Sequence, residues 1–405
     1  MAHSRTEQQL DAVSLSHDCH SDERAQLVAS LRCQLTEHLD KLNLDAHRSG
    51  NSTKEQIRLS HSVHRLDFLA RERKALARRA LTLVERFAVG TDIEPERISP
   101  KIIPVGPDST ESLLFRLATT SWSVPVSTGY GRRMRFIIID RNNEKLIGVL
   151  AIGDPVFNLR ARDNWIQWTV EDRRERLVNV MDAYVVGAVP PYSHLLGGKL
   201  VTALIGSSEV ALGFKQRYAQ STGVISEKPK NPRLALVTIT SALGRSSIYN
   251  RVKLPGLLDL KFIGTTQGWG HFHIPDTIFS NMRLLLSLDG HKYADGHQFG
   301  SGPNWRMRVI RKALSLIGLD EALLRHGIGR EIYAMPLAQN WCAFLRGKAR
   351  IYGSQRPSVD TISKACLERW VVPRSMRKSD YLAWSSEDRA HLLAPIFGDG
   401  VGVVG

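Results

Sequence analysis

The stretch from Ala183 to Gly206, AYVVGAVPPYSHLLGGKLVTALIG, most constrains what this chain can fold into. Tyr184 to Val189 is apolar and β-branched, so it reads as a strand. Pro190 and Pro191 stop it, and Lys199 opens an apolar helix that runs to about Ile205. Between them Gly197 and Gly198 permit close approach of a ligand to the backbone. A strand feeding a glycine turn and a helix points free N–H groups at one spot, which suits an anion such as phosphate. The alternative is a plain strand-to-helix turn with no ligand.

Charge narrows the partners. Among 405 residues, 55 Lys and Arg face 40 Asp and Glu, a formal net charge of +15, which favours nucleic acid, nucleotides or another polyanion. A soluble basic protein without such a partner is the alternative. Aromatic content of 7% argues against a continuous base-stacking platform. Cys19, Cys33, Cys342 and Cys366 form no CxxC pair, so neither a zinc finger nor a disulfide framework is expected, in keeping with a reducing cytoplasm. No h-region opens the sequence and no run approaches about 18 apolar residues, so a cytoplasmic protein without a membrane partner is expected.

Residues 1–20 read as a mobile tail, and His17, Cys19 and His20 within it as solvated side chains rather than metal ligands. Leu27, Leu31, Leu35, Leu39 and Leu42 recur at helical spacing. Ser52 to Glu55 reads as a capping box opening a long helix, with Ile57, Val63, Leu66, Leu69, Leu76, Leu83 and Phe87 on one side. Residues 21–90 therefore form a helical arm, a hairpin. Arg71, Arg78 and Arg79 lie on its other face, which fits either nucleic acid or solvent. The stretch to Pro107 reads as a linker.

Ser112 to Thr119 looks helical, and Met134 to Asp140 and Leu146 to Ile152 form a β-hairpin. Asp163 to Thr169 has strand-like spacing of Trp165, Ile166 and Trp168, and Glu171 to Val178 reads as a short helix or turn. Leu234 to Thr240 is a buried-type strand, Ser246 to Val252 a short helix and Leu260 to Ile263 a final strand. The order predicts a mixed sheet with an antiparallel start and a late parallel crossover. Met307 to Ile317 and residues 357–392 supply C-terminal helices.

Several segments carry a resemblance. They are Gly153-Asp-Pro155 with Arg160 to Trp168, Ser241 to Arg251 followed by Ile263 to Gly270, and Phe299 to Arg306 with Arg325 to Ile332 and Pro336 to Asn340. Together they resemble the DruA-like family of the Druantia anti-phage systems, over roughly residues 105–347. That resemblance implies a role in defence against phage alongside other subunits, and its members also occur beside transposase-like proteins. The element order is similar to the GNAT acyltransferase fold. That likeness implies a cofactor phosphate held at Gly197, Gly198 and Lys199, with acyl-CoA as a candidate cofactor, and Tyr249 where that fold has its general acid. The turn departs from the common acyltransferase pattern: His194 opens it and Lys199 fills the sixth place.

Other residues carry two readings each. Arg162 suits bidentate phosphate binding while Asp163 orients it or accepts a proton, or the two form a structural ion pair. Tyr249 is a general acid or a buried phenol. Trp165 and Trp168 are core or stack on bases. His271, His273 and Asp276, with the Asp289-Gly-His291 and Asp295-Gly-His297 repeats, are weak metal candidates or turn chemistry. Arg306, Arg308 and Arg311 form a second basic stretch for nucleic acid.

The expectation is thus an α/β GNAT-like core over 105–275, between a helical arm and a mixed C-terminal region over 276–395. The function expected is a defence-system component that binds or acts on nucleic acid through an acyltransferase-like core. The alternatives are a non-catalytic DNA- or RNA-binding subunit and a metal-dependent nuclease or transposase-associated protein.

Overall fold

A computed structural model describes residues 4–42, 53–222, 229–296 and 303–398. The chain falls into two compact units, one of Met1–His64 with Gln267–Gly329, the other of Arg65–Thr266 with Arg330–Gly405.

In the first unit, helix α1 (Ser4–Leu42) buries Leu31 and Leu35, the leucine stripe of the sequence. The capping box sits one residue beyond its expected place. Thr53 Oγ1 accepts from the Gln56 N–H at 3.2 Å, and Gln56 Oε1 from the Thr53 N–H at 2.8 Å. The helix it opens is not one long rod but α2 (Lys54–Ser60), α3 (Ser62–Leu76), along which the chain passes into the second unit, and α4 (Ala80–Val84), which belongs to the second unit. The first break follows from local competition: the Ser60 hydroxyl donates to the Gln56 carbonyl and the His61 N–H to that of Arg58. Leu66, expected on the buried side, is exposed.

In the second unit a seven-stranded sheet is the frame. Its strands are β1 (Pro100–Pro104), β2 (Arg133–Asp140), β3 (Leu146–Gly153), β4 (Val180–Ala188), β5 (Leu236–Thr240), β6 (Lys261–Thr265) and β7 (Glu331–Pro336), in the order β1-β2-β3-β4-β5-β7-β6. All neighbours are antiparallel except β4 and β5. The strand expected to be final, β6, is an edge, and β7 lies between it and β5. The expected linker to Pro107 contains β1, whose prolines are tolerated because it too is an edge strand.

Alternation along β2 splits the core into two layers. Phe136 and Ile138 face one, Ile137 and Ile139 the other. Helix α5 (Thr110–Thr120) packs on β2 and β3. The expected strand over 163–169 is instead helix α6 (Arg160–Ile166), followed by α7 (Val170–Arg176). Trp165 stacks on Trp341 at 4.3 Å, and the Trp168 indole donates to the Leu345 carbonyl at 2.6 Å, so both are packing residues here. Helix α8 (Gly197–Ala203) packs on β3 and β4, with α9 (Ser208–Tyr218) after it.

Back in the first unit, α10 (Asp276–Leu288) packs against α1 and against α11 (Pro303–Leu316), through Ile278, Met282, Leu285, Val309 and Ile310. The C-terminal part of the second unit holds α12 (Trp341–Leu345), α13 (Val359–Cys366), a π-helical turn at Leu367–Val371, α14 (Val372–Arg377) and α15 (Ser386–His391). No helix among the described residues is long and apolar enough to cross a membrane.

Candidate active site

The parallel pair opens a crevice. β4 and β5 are in register only at Val180–Leu236, Met181–Val237 and Asp182–Thr238, after which β4 runs on to Ala188 and β5 to Thr240 no longer paired with each other. The cause lies on the far side of β4. There Ala151 pairs with Val185 but Ile152 with Ala183, so Tyr184 is an extra residue, a bulge that bends β4.

Asp182 stands where the strands part. The Thr238 hydroxyl donates to its Oδ1 at 2.8 Å. Burial pushes its carboxyl up to about 6, against the opposing pull of the Thr238 hydrogen bond and the Arg162 charge. Tyr249 shares this field: burial first, then Asp182, lifts its phenol to about 12. Tyr130 is raised in the same way, by burial, then Asp182 and Asp154. A carboxyl near neutrality beside a firmly protonated phenol is a base–acid pair in chemical terms.

The loop after β5 positions Tyr249. Its N–H and that of Ile248 donate to Ser246 Oγ at 3.0 and 3.2 Å, and the Ser246 N–H donates to Glu331 Oε2 at 2.9 Å. Tyr333 donates its hydroxyl to the same Glu331 oxygen at 2.5 Å and meets the Tyr249 ring edge-on at 5.8 Å. Asp182, Tyr130 and Glu331 were not singled out from the sequence. The signal was a lone aspartate in the apolar run VMDAYVV.

Arg162 and Asp163 are near this crevice but committed elsewhere. Arg162 is fully buried; its Nε reaches Asp163 Oδ1 at 2.8 Å, and Nη1 and Nη2 reach the carbonyls of Val156 and Phe157, each at 2.9 Å. Asp163 also takes Arg173 Nη1 at 2.8 Å and the Leu159 N–H at 3.2 Å. The pair therefore ties the 156–159 loop to α6, and both Asp163 oxygens are taken up by protein donors. Arg162 acts on the crevice through its field alone.

The glycine turn is likewise closed by protein. A Cβ on Gly197 would lie 2.6 Å from the Tyr192 carbonyl oxygen, and one on Gly198 3.1 Å from Ile248 Cδ1. The Cα faces of both glycines are packed against protein, and the Gly197 N–H donates to the Tyr192 carbonyl at 2.9 Å. Lys199 turns inward, with its ammonium 5.3 Å from the centre of the Trp370 ring.

The other candidates separate. His273 is buried with Nε2 on the Leu323 carbonyl at 3.0 Å, and Asp276 pairs with Arg306 Nη1 at 2.8 Å. Among the described residues no group of three His, Cys, Asp or Glu could hold a metal, so His271, His273 and Asp276 do not form one; His297 lies outside the described residues. Arg306 also donates to the Ile274 carbonyl and covers the Phe279 ring, and Arg311 pairs with Glu321 at 2.7 Å. These two hold α11 in place and are not free phosphate contacts. Arg308 is exposed beside Tyr293. Arg71, Arg78 and Arg79 are exposed, as a solvated or a ligand-binding face requires.

Comparison with known proteins gives one consistent match. The family model described as Druantia protein DruA matches residues 51–347. A curated relative, Druantia protein DruA of Escherichia coli (strain UMEA 4076-1), is 45% identical over 366 residues, covering 89% of this chain and 91% of the relative. No solved structure matches the chain.

Proposed function

The chain belongs to the DruA family, part of the Druantia anti-phage defence system, and on that premise we propose that its α/β core is acyltransferase-like and works on a ligand held between β4 and β5. One observation carries the reading: the single parallel pair parts at Asp182 and Thr238, with a carboxyl near neutrality and the Tyr249 phenol at the opening. The strand order β1-β2-β3-β4-β5-β7-β6 and the bulge in β4 support a GNAT-like core. In this reading Asp182 takes a proton from the acceptor nucleophile, and Tyr249 returns one to the leaving group. The charge of +15 favours a nucleic-acid acceptor, and acyl-CoA is the candidate donor.

The test is phage plaquing in cells carrying the complete defence system. Asp182→Asn and Tyr249→Phe should each abolish protection while the purified variants keep their circular dichroism and melt no lower than the parent. Full protection by both variants would sink the catalytic reading. Calorimetry with acetyl-coenzyme A examines the donor separately.

The covered faces of Gly197 and Gly198 favour a second reading, a non-catalytic DNA- or RNA-binding subunit. Binding through exposed Arg78 and Arg79 then weakens steeply with salt, and both crevice variants still protect.

A further inference from the structure

One face of helix α9 borders a cavity of about 540 Å³ within the second unit. Ser208, Ala211, Leu212 and Lys215 line it at the i, i+3, i+4, i+7 spacing of a single helix face. The segment entering β5, from Pro232 to Leu234, forms another wall. The third wall is the loop between α12 and α13, which brings in Ile351 and Arg356. That loop is pinned on the C-terminal side of Arg356: the Ser208 N–H donates to the Pro357 carbonyl at 2.9 Å, and the Glu209 carboxylate accepts from the Val359 N–H at 3.0 Å. Arg356 itself donates from Nη2 to the Leu234 carbonyl at 2.5 Å. Its Nε and Nη1, however, are buried and have no hydrogen-bond partner among the described residues. Burial lowers the proton affinity of the guanidinium to about 10 and no carboxylate raises it, so it stays charged and uncompensated at neutral pH. Glu209, the one acid on the cavity wall, turns to Val359 and to the Ser208 hydroxyl, which donates to it at 2.9 Å. A buried guanidinium with donors unused works against folding. The anchoring of the loop does not require it, because the Ser208 and Glu209 bonds hold the loop without it.

We propose that Arg356 anchors a binding site for a small apolar monocarboxylic acid, with the carboxylate on the guanidinium and the hydrocarbon body along Leu212, Phe214, Pro232 and Ile351. A carboxylate offers two oxygens in one plane, the arrangement a guanidinium fork takes. The volume falls within the roughly 300–1,000 Å³ of small-ligand sites, and apolar walls around one recessed cation are the usual make-up of such sites. Leu212 is 54% exposed on this wall, an apolar surface that the body of the acid covers. Lys215 and Arg233 stand exposed on the same walls, so with Arg356 three positive charges face the single negative charge of Glu209. A phosphate fits less well. The first turn of α9 spends N–H groups inside the protein, Ser208 on Pro357 and Val210 on the Ser207 hydroxyl, and does not supply the extra donors a dianion needs. The cavity sits at the entrance to β5, whereas β4 and β5 part at the other end of their pairing. The site requires neither Asp182 nor Tyr249, so it stands or falls independently of the acyl-transfer reading.

The test is calorimetric titration of the full chain with hexanoate, with its uncharged counterpart hexanamide and with inorganic phosphate. Hexanoate should bind saturably, and hexanamide about tenfold more weakly or worse. Arg356→Met keeps the aliphatic stem and removes the fork, and should bind hexanoate no better than hexanamide. Lys215→Glu, an exposed change that leaves the core intact, should weaken hexanoate by about threefold at low salt, an effect that added salt screens. Asp182→Asn and Tyr249→Phe should bind hexanoate as the parent does. No saturable hexanoate binding to the folded parent overturns the proposal. So does hexanoate affinity unchanged in both Arg356→Met and Lys215→Glu, and so does hexanamide binding as tightly as hexanoate, which marks apolar adsorption alone. Phosphate bound in preference to hexanoate, and lost in Arg356→Met, overturns the carboxylate and assigns the guanidinium to a phosphoryl ligand.

Discussion

Asp182→Asn should make this protein more stable at neutral pH. The carboxyl rises from its ordinary 3.8 to about 6 on folding, with burial as the main cause. At about 1.4 kcal/mol for each tenfold change in proton affinity, ionised Asp182 costs the native state about 3 kcal/mol. The sign follows from proton counting. Between pH 4 and 6 the folded state binds the extra proton, so native stability falls as pH rises through that window, and the full cost applies above about 6. An asparagine carries no charge, and its Oδ1 still accepts from the Thr238 hydroxyl, the 2.8 Å bond of the parent. We expect a gain of about 1–3 kcal/mol at pH 7.5, allowing for relaxation around the ionised group, shrinking to nothing near pH 4. Urea unfolding of both proteins at half-unit intervals from pH 4.5 to 8 measures it. Thr238→Val, which removes the donor, should push the carboxyl higher still and steepen the parent's pH dependence. An asparagine variant less stable than the parent at pH 7.5, or an advantage that does not shrink on acidification, would refute the reasoning. Stability gained where protection is lost is the mark of a functional residue held at a cost.

The other expectations are shorter. Gly197→Ala places a Cβ 2.6 Å from a backbone carbonyl and 3.1 Å from the Ala188 methyl, and should cost about 1–3 kcal/mol in urea unfolding. Gly198→Ala meets only the end of Ile248 and should cost under about 1 kcal/mol; equal losses would contradict the packing account. Arg162→Met leaves two loop carbonyls and part of Asp163 without donors and should cost about 3–5 kcal/mol, with Arg162→Lys giving little rescue because its single ammonium cannot fork. His273 is held neutral, its imidazole pushed down from 6.5 to about 4 by burial. The unfolded chain then binds the extra proton between those values, so stability should fall as pH drops from about 6.5 toward 4. His273→Gln should flatten that slope, and an unaltered slope would show that His273 is not its source.

How much of this was legible in the sequence depends on where the deciding interaction lies. Strands β2, β3 and β5 declared themselves because β-branched runs such as FIII and LVTIT are decided locally. Trp165, Ile166 and Trp168 misled because a short apolar cluster fits a helix face as well as a strand, and α6 is fixed by contacts of Arg162 and Asp163 with the preceding loop. β7 escaped notice because its partners β5 and β6 are far away in the chain, and six residues of EIYAMP carry no mark of the gap they fill. The crevice follows the same logic. Glycines drew the eye to the turn after β4, where local sequence speaks loudest, yet there protein atoms cover them. The proposed chemistry lies at the other end of that strand, in Asp182, whose meaning depends on Thr238 across a non-local parallel pairing. An acid inside an apolar strand is nonetheless readable in principle. Burying a carboxylate with a single hydroxyl for company works against folding, so its presence there asks for a reason outside stability.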